Sequence, residues 1–277
     1  MNILLERAQG RHPASSPDAP AAIRGIDLEI RAGEQIAVIG PSGAGKTTLL
    51  QMLSASLKPS SGRVLLDGRD PWALSVAELQ RLRGRIFQAP QTPPLPPRQR
   101  VITALTAARL PAMSFMESVV NLVYPRHAEA ARDALEAFDL GDKLWDRVDR
   151  LSGGERQRVG LARALMSPAD VWLVDEPLSA LDPKRARLAI DQLVNSARAR
   201  GVSLIATLHQ VDVATERFPR VIGLREGMLV FDLPPQDVTR ARLADLYAQF
   251  EHELLGTPQA AEDVPGEPEP ARIVHCR

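Results

Sequence analysis

Residues 36–53, Ile-Ala-Val-Ile-Gly-Pro-Ser-Gly-Ala-Gly-Lys-Thr-Thr-Leu-Leu-Gln-Met-Leu, leave this chain few architectures to choose from. The apolar run at the start shows no alternation, as expected of a strand covered on both sheet faces. It passes straight into a glycine-rich loop and then into a helical stretch. The loop Gly40, Pro41, Ser42, Gly43, Ala44, Gly45, Lys46, Thr47, Thr48 forms a cradle. Gly40, Gly43 and Gly45 lack the Cβ atoms that would block close approach, so successive backbone N–H groups can turn inward around the β- and γ-phosphates of a nucleotide. A helix beginning near Gly45 adds the positive end of its dipole. Lys46 then reaches the terminal phosphates as a point charge, and Thr47 offers a hydroxyl to the magnesium ion that bridges them. The pattern Gly40-x-x-x-x-Gly45-Lys46-Thr47, set between strand and helix, specifies a phosphate-binding site.

The rest of the chain supplies a sheet for that strand. Ile3 to Arg7 and Ile23 to Ile30 read as strands, the second with Ile26, Leu28 and Ile30 inward and Asp27 and Glu29 outward. Pro13, Pro17 and Pro20 mark a loop between them. Gln35 to Ile39 leads into a crossover helix, Thr47 to Leu57. A strand from Gly62 to Leu66 and its Asp67-Gly68 turn follow, then a short helix opened by the capping box Ser75 to Glu78 and ending near Gly84. Arg85 to Gln88 is a brief strand. Residues 89–97 are proline-rich, which excludes helix and central strand and predicts a stiff surface connection. From Arg98 to about Asp149 strand signals vanish, and helical stretches recur at Val101 to Arg109, Ser114 to Val123 and Arg126 to Phe138. Residues 98–150 therefore read as an inserted helical subdomain. Ser152 opens a helix through Met166. Val171 to Val174 is a buried strand, Pro183 to Arg200 a long helix, and Val202 to Thr207 a strand ahead of His209 and a short helix. Strands at Arg220 to Leu224 and Met228 to Phe231 precede an amphipathic helix from Thr239 to about Leu254. Residues 256–277 have almost nothing to bury, so 1–255 is expected to fold and the tail to be disordered.

Thirty-four basic residues balance thirty-four acidic ones, so no net field favours nucleic acid as a partner. No apolar run reaches the roughly 20 residues needed to cross a bilayer, and no signal segment is evident. The chain is thus expected in the cytoplasm, with any membrane role exercised through a partner. Its one cysteine, Cys276, cannot close an intramolecular disulfide, in keeping with a reducing compartment.

Two further constellations carry chemistry. Val171 to Glu176 places Asp175 and Glu176 at the C-terminal end of a buried strand, where open α/β sheets hold their ligands. Asp175 is set to hold magnesium opposite Thr47, and Glu176 lies one step closer to the γ-phosphate, where it can polarise an attacking water. Leu151 to Glu155, read alone, is only a helix start. Beside the phosphate loop it gains a second meaning, because Gly153 and Gly154 expose backbone N–H groups at a helix N-terminus and form a second anion site. Two phosphate sites so far apart in sequence suggest that two subunits share each nucleotide.

In this order the motifs resemble the nucleotide-binding subunits of ATP-binding cassette (ABC) transporters over residues 1 to about 250. Gly40 to Thr47 resembles the Walker A motif of that family, Gln88 its Q-loop glutamine, and Leu151 to Glu155 its signature. Val171 to Glu176 resembles Walker B with the catalytic glutamate, Ser179 to Asp182 the D-loop, and His209 the switch histidine. The resemblance implies an α/β fold of the P-loop NTPase class, with a RecA-like core, an N-terminal antiparallel β portion and the helical insert. It implies ATP and Mg2+ as ligands and a head-to-tail dimer in which Ser152, Gly153 and Gly154 of one copy cap the ATP held by the other. Gln88 would reach the metal or the water, His209 the γ-phosphate, and Asp182 the opposite phosphate loop. Partners would be transmembrane permease subunits and, indirectly, a periplasmic binding protein, with the chain on the cytoplasmic face of the inner membrane.

Two positions depart from that pattern. No Tyr, Phe or Trp precedes Trp72, whereas the family usually stacks an aromatic ring on adenine from a position near Pro17. Glu155 stands where Gln is commoner, which leaves the Ser and Gly donors intact. Thr207 to Asp212, Ile222 to Gly227, Leu246-Tyr247 and the long insert after Gln88 look most like phosphonate-import ATPases. The rival is a soluble ABC ATPase acting in phosphonate metabolism or DNA repair without transport.

Overall fold

The computed structural model describes residues 1–11, 21–124 and 126–248. In chain order its elements are β1 (Ile3–Gly10), β2 (Ile23–Ile30), β3 (Gln35–Ile39), α1 (Lys46–Leu53), β4 (Ser61–Leu66), α2 (Val76–Arg83), β5 (Ile86–Ala89), α3 (Val101–Thr106), α4 (Phe115–Val123) and α5 (Ala128–Glu136). There follow α6 (Gly153–Met166), β6 (Val171–Asp175), α7 (Pro183–Ala199), β7 (Ser203–Thr207), α8 (Val211–Arg217), β8 (Arg220–Arg225), β9 (Met228–Leu233) and α9 (Arg240–Leu246).

Three helices are shorter than their periodicity suggests, for local reasons. α1 stops at Leu53 because Ala55 takes a left-handed φ of 54°, and the N–H groups of Ala55 and Ser56 turn back to the carbonyls of Met52 and Gln51. This is a Schellman closure without glycine. α3 stops at Thr106, whose hydroxyl donates back to the Ile102 carbonyl at 3.0 Å. The chain tightens there into a 3-10 turn that contains Pro111. α5 starts at Ala128 rather than Arg126. The expected helix after Thr239 is described as far as Leu246. Its remainder and the 256–277 tail lie outside the described residues, as does the position near Pro17.

The strands form two sheets. β2-β1-β4 is antiparallel, and β5-β6-β7-β3-β8-β9 is parallel except for the edge strand β9. β3 lies between β7 and β8, and β6 lies one strand further on. Its residues alternate between two cores. Ile36 and Val38 pack with Ile3, Leu5, Ile26 and Leu28 of the small sheet and with Leu49 and Met52 of α1. Ala37 and Ile39 face the other way, toward residues of α6, α7 and α8. Complete burial of one Ile or Leu is worth about 1.5–3 kcal/mol. The loop after β3 is therefore aimed by the core beneath it.

The helical insert is closed at its neck. Backbone N–H groups of Val101 and Ile102 donate to Asp146 and Leu144, and those of Val148 and Asp149 donate to Gln99 and Pro97. Its buried side chains, Leu105, Leu135, Phe138 and Leu144 among them, join the same core as Val159 and Leu161 of α6. The insert is thus anchored to α6. No described helix is long and apolar enough to cross a membrane.

Candidate active site

The phosphate loop spans the gap between β3 and α1 at the C-terminal edge of the larger sheet. Gly40, Gly43 and Gly45 have φ values of 152°, 76° and 101°, conformations that favour glycine. Space constrains two of them for a reason other than room for a ligand. A Cβ on Gly40 would run into the Leu224 carbonyl, and one on Gly45 into the Ala22 carbonyl, whereas Gly43 faces open space. The loop is braced from behind by Gly227, whose N–H donates to Ala44 O at 3.0 Å and whose carbonyl accepts from Arg24 N at 2.7 Å. Lys46 is 5% exposed. Its Nζ donates to the Gly40 and Pro41 carbonyls at 2.8 and 3.2 Å, folded over the loop that it serves. Ala22, Ser42 to Thr48 and Glu176 line a cavity of about 260 Å³.

Asp175 ends β6 opposite that cavity. Its Oδ2 accepts from the Thr47 hydroxyl at 2.8 Å, and its Oδ1 accepts from the Thr207 hydroxyl at 2.6 Å. Thr207 in turn accepts from Glu176 N at 2.9 Å. The strand order makes this possible, because β7 lies between the strand that launches Thr47 and the strand that ends in Asp175. Glu176 then takes a left-handed φ of 45°, a strained geometry for a side chain longer than Asn or Asp, and turns its carboxylate to His209. The His209 Nε2–H donates to Oε1 at 2.6 Å. That bond holds the Glu176 carboxyl below the usual carboxylate range, against burial, which pushes it up, and with further help from the charge of Lys46.

The remaining residues singled out in the sequence make contacts outside this centre. Ser152 caps α6 by accepting from Glu155 N at 3.3 Å, and Glu155 Oε2 accepts from Ser152 N at 2.7 Å. Ser152 and Gly153 are exposed, and a Cβ on Gly153 would meet nothing within 4 Å. A Cβ on Gly154 would lie 3.1 Å from the Ala180 carbonyl, so the signature helix packs on the turn that leads to Asp182. Asp182 caps α7 by accepting from Arg185 N at 3.0 Å. Gln88 is level with Leu173 across the β5-β6 pair, two residues short of Asp175. It is half-buried, and its side chain makes no hydrogen bond to the site among the described residues.

The description that matches this chain is that of the ABC transporter family, over residues 23–179. The chain belongs to that family. Its full length is 58% identical to the phosphonates import ATP-binding protein PhnC of Polaromonas sp., which it covers completely. It is 56% identical over the full length to PhnC 2 of Albidiferax ferrireducens, and 51% identical to PhnC 1 of Pseudomonas aeruginosa over 94% of this chain and 95% of that one. A dimeric ATP-binding cassette in a post-hydrolysis state bound to ADP and Pi superposes with a TM-score of 0.71 at 26% identity, covering 84% of this chain and 98% of the other. The fold is shared as well by cbiO1 of Clostridium perfringens, part of the ABC transporter complex cbiONQ, with a TM-score of 0.70 at 24% identity over 92% and 98% of the two chains. The fold is thus the α/β cassette of the ABC ATPases, and the chain binds ATP.

Two groups of this ABC site were not singled out from the sequence. Thr207 read as the last residue of a buried strand and as the start of the stretch that resembles phosphonate-import ATPases, not as a partner of Asp175, although a buried hydroxyl at a strand end beside the acidic pair is a signal of sorts. Gln91 was hidden in the proline run. Its Nε2–H donates to Glu176 Oε2 at 2.7 Å.

Proposed function

We propose that this protein is the ATP-hydrolysing subunit of an importer of phosphonates. What carries the reading is the convergence of Lys46, Thr47, Asp175, Glu176 and His209 on one end of the sheet, in a chain 58% identical along its whole length to a phosphonates import ATP-binding protein. The phosphate loop Gly40 to Thr48 holds the β- and γ-phosphates through its backbone N–H groups, and Lys46 exchanges its two carbonyl partners for phosphate oxygens. Glu176, ionised at neutral pH, accepts a proton from the attacking water. His209 orients that carboxylate through its Nε2–H, and would turn that N–H toward the γ-phosphate once the nucleotide is bound.

The donors present suit magnesium. Thr47, which lines the phosphate cavity, and Asp175 behind it bring two oxygens, Oγ1 and Oδ2, to 2.8 Å apart, and Mg2+ takes oxygen ligands while keeping water and substrate phosphates in its shell. Among the described residues no cluster of three or more His, Cys, Asp or Glu offers a cage of its own, so these two side chains would share the ion with the nucleotide, with Gln88 drawn in as the loop closes. Bound there, the ion would neutralise charge on the β- and γ-oxygens.

The active unit is a head-to-tail dimer. A solved cassette of this fold, MJ0796, is dimeric, and the helix end at Ser152, Gly153 and Gly154, exposed at its first two residues, completes the partner's site, with Asp182 beside it. The dimer works against transmembrane permease subunits at the cytoplasmic face of the inner membrane, where a periplasmic binding protein delivers the cargo. Residues 98–150 form the helical subdomain that meets the permease, beside the stiff segment Pro90 to Pro97. A strain lacking this protein is expected to fail on a phosphonate as sole phosphorus source and to grow normally on phosphate. Wild-type copies restore growth, and Lys46→Ala copies do not. Normal growth of the deletion strain on several phosphonates, with no second importer present, refutes the cargo and leaves the ATPase reading standing.

A further inference from the structure

Both oxygens of the Glu176 carboxylate are held, and they are held from opposite sides. His209, just after β7, donates to Oε1, and Gln91, on the loop between β5 and α3, donates to Oε2. The terminal torsion of a Glu side chain is broad and roughly two-fold, so one donor leaves the carboxylate plane free to turn. A second donor from a different segment fixes that plane. Each carboxylate oxygen has more than one acceptor direction, which leaves room for a water beside both donors.

Gln91 is itself exposed, so its loop must hold it in place. Pro90 and Pro93 lock φ on either side of it and restrict the residues before them. Pro93 is seated on α6, where a Cβ added to Gly160 would lie 2.6 Å from the proline Cγ. Glycine in a helix interior costs about 1 kcal/mol against alanine, and α6 bears that cost where the ring rests. Pro90, Pro93 and Pro94 border a small cleft with Gln157, Leu161 and Arg163 of the same helix. Gln91 therefore travels with α6, the helix whose exposed end begins at Ser152.

We propose that Gln91 is a positioning residue for ATP hydrolysis, fixing the plane of the Glu176 carboxylate from the α6 side through the seat of Pro93 on Gly160. The inference rests on the reading of Glu176 as the group that polarises water. It makes the geometry of that base depend on where α6 lies.

The test uses the purified full-length chain with ATP and magnesium and compares Gln91→Ala, Gly160→Ala, Gly160→Ala/Pro93→Ala and Glu176→Gln. Gln91→Ala is expected to lower kcat about 10- to 100-fold, the scale of a misplaced reacting group, with KM for ATP within about twofold because the phosphate loop is untouched. That split, kcat falling while KM holds, separates a misplaced carboxylate from a damaged nucleotide site, which would move both. Gly160→Ala should reproduce the fall in kcat without lowering the melting temperature, and the double variant should recover most of it. Gln91→Ala with kcat within twofold of wild type, or with KM raised as far as kcat falls, overturns the inference. Gly160→Ala at wild-type kcat overturns the link to α6. Turnover retained by Glu176→Gln sinks the reading of Glu176 and this inference with it, whereas an inactive Glu176→Gln beside a fully active Gln91→Ala overturns this inference alone.

Discussion

The N-terminus of α1 has no side-chain cap, whereas that of α6 is capped twice over. α1 begins after Gly45, with no side-chain hydrogen bond to its cap and no acid in its first turn. α6 begins after Ser152, whose hydroxyl and whose N–H both bond to Glu155. Every helix starts with orphan N–H groups and a positive dipole end that must find partners. At α1 those groups are left for the ligand, and a carboxylate there would repel phosphate. α6 satisfies part of the need with its own serine and glutamate, and so is stable before any phosphate arrives. One end is built to be filled by the nucleotide of its own chain. The other is complete by itself and leaves Ser152 and Gly153 exposed, the end that the proposed head-to-tail dimer would turn toward a second subunit.

The sharpest way to break this contrast is to make one substitution at both ends. Gly45→Ala should cut ATP affinity about 100-fold or more, because a residue with φ of 101° is strained by about 1–3 kcal/mol and its Cβ meets the Ala22 carbonyl. Gly153→Ala should leave ATP affinity of the isolated subunit unchanged, since no atom lies within 4 Å of its Cβ. Titration with a fluorescent ATP analogue decides. Equal losses at the two positions would erase the distinction.

A smaller effect is expected of Ser152→Arg. A bulky charge on the exposed end of α6 should lower kcat at least about tenfold by spoiling the shared site, while the same chain's Lys46 site binds ATP within threefold of wild type. Equilibrium binding beside a phosphate-release assay separates the two. A parallel loss of both would mean that the end of α6 acts within its own chain.

The smallest effect is on stability against pH. Glu155 is held below its ordinary value of 4.5, chiefly by the backbone N–H of Ser152 and then by its hydroxyl. A depressed folded-state pKa contributes stability that is present above the unfolded value and lost as pH falls through the folded one. The advantage of wild type over Glu155→Gln should thus be constant above about pH 4.5 and fade below it, and solvent screening keeps it to roughly a few tenths of a kcal/mol. α1, with no acid in its first turn, offers no counterpart. Urea unfolding of both proteins from pH 3 to pH 7 measures it, and an advantage that grew on acidification would contradict the cap.

Most strands could be read from the sequence because their periods are short and their ends are marked by charge, glycine or proline. The phosphate loop was legible as a linear pattern, yet the reason given for its glycines was incomplete. Gly40 and Gly45 answer to the Leu224 and Ala22 carbonyls, contacts that no local pattern encodes. The helix ends at Ala55 and Thr106 escaped because a left-handed alanine and a back-bonded threonine leave little trace in periodicity. Thr207 and Gln91 stand 32 and 85 residues from the carboxylates that they touch. Only the strand order and the fold of the proline run bring them there. The expected disorder of 256–277 and the place of an adenine platform near Pro17 fall outside the described residues.

The strand order also has a consequence in time. β1, β2 and β4 are near neighbours in sequence and can pair as soon as they leave the ribosome. β3 pairs only with β7 and β8, whose residues are made more than 160 positions later. At about 5–20 residues per second, β3 waits on the order of 10–35 s for either flank, its four apolar core positions meanwhile without a sheet. Non-local parallel pairing is intrinsically slow and exposes hydrophobic surface during the wait. A chain halted before Ser203 contains every residue of the phosphate loop and neither of the strands that flank β3.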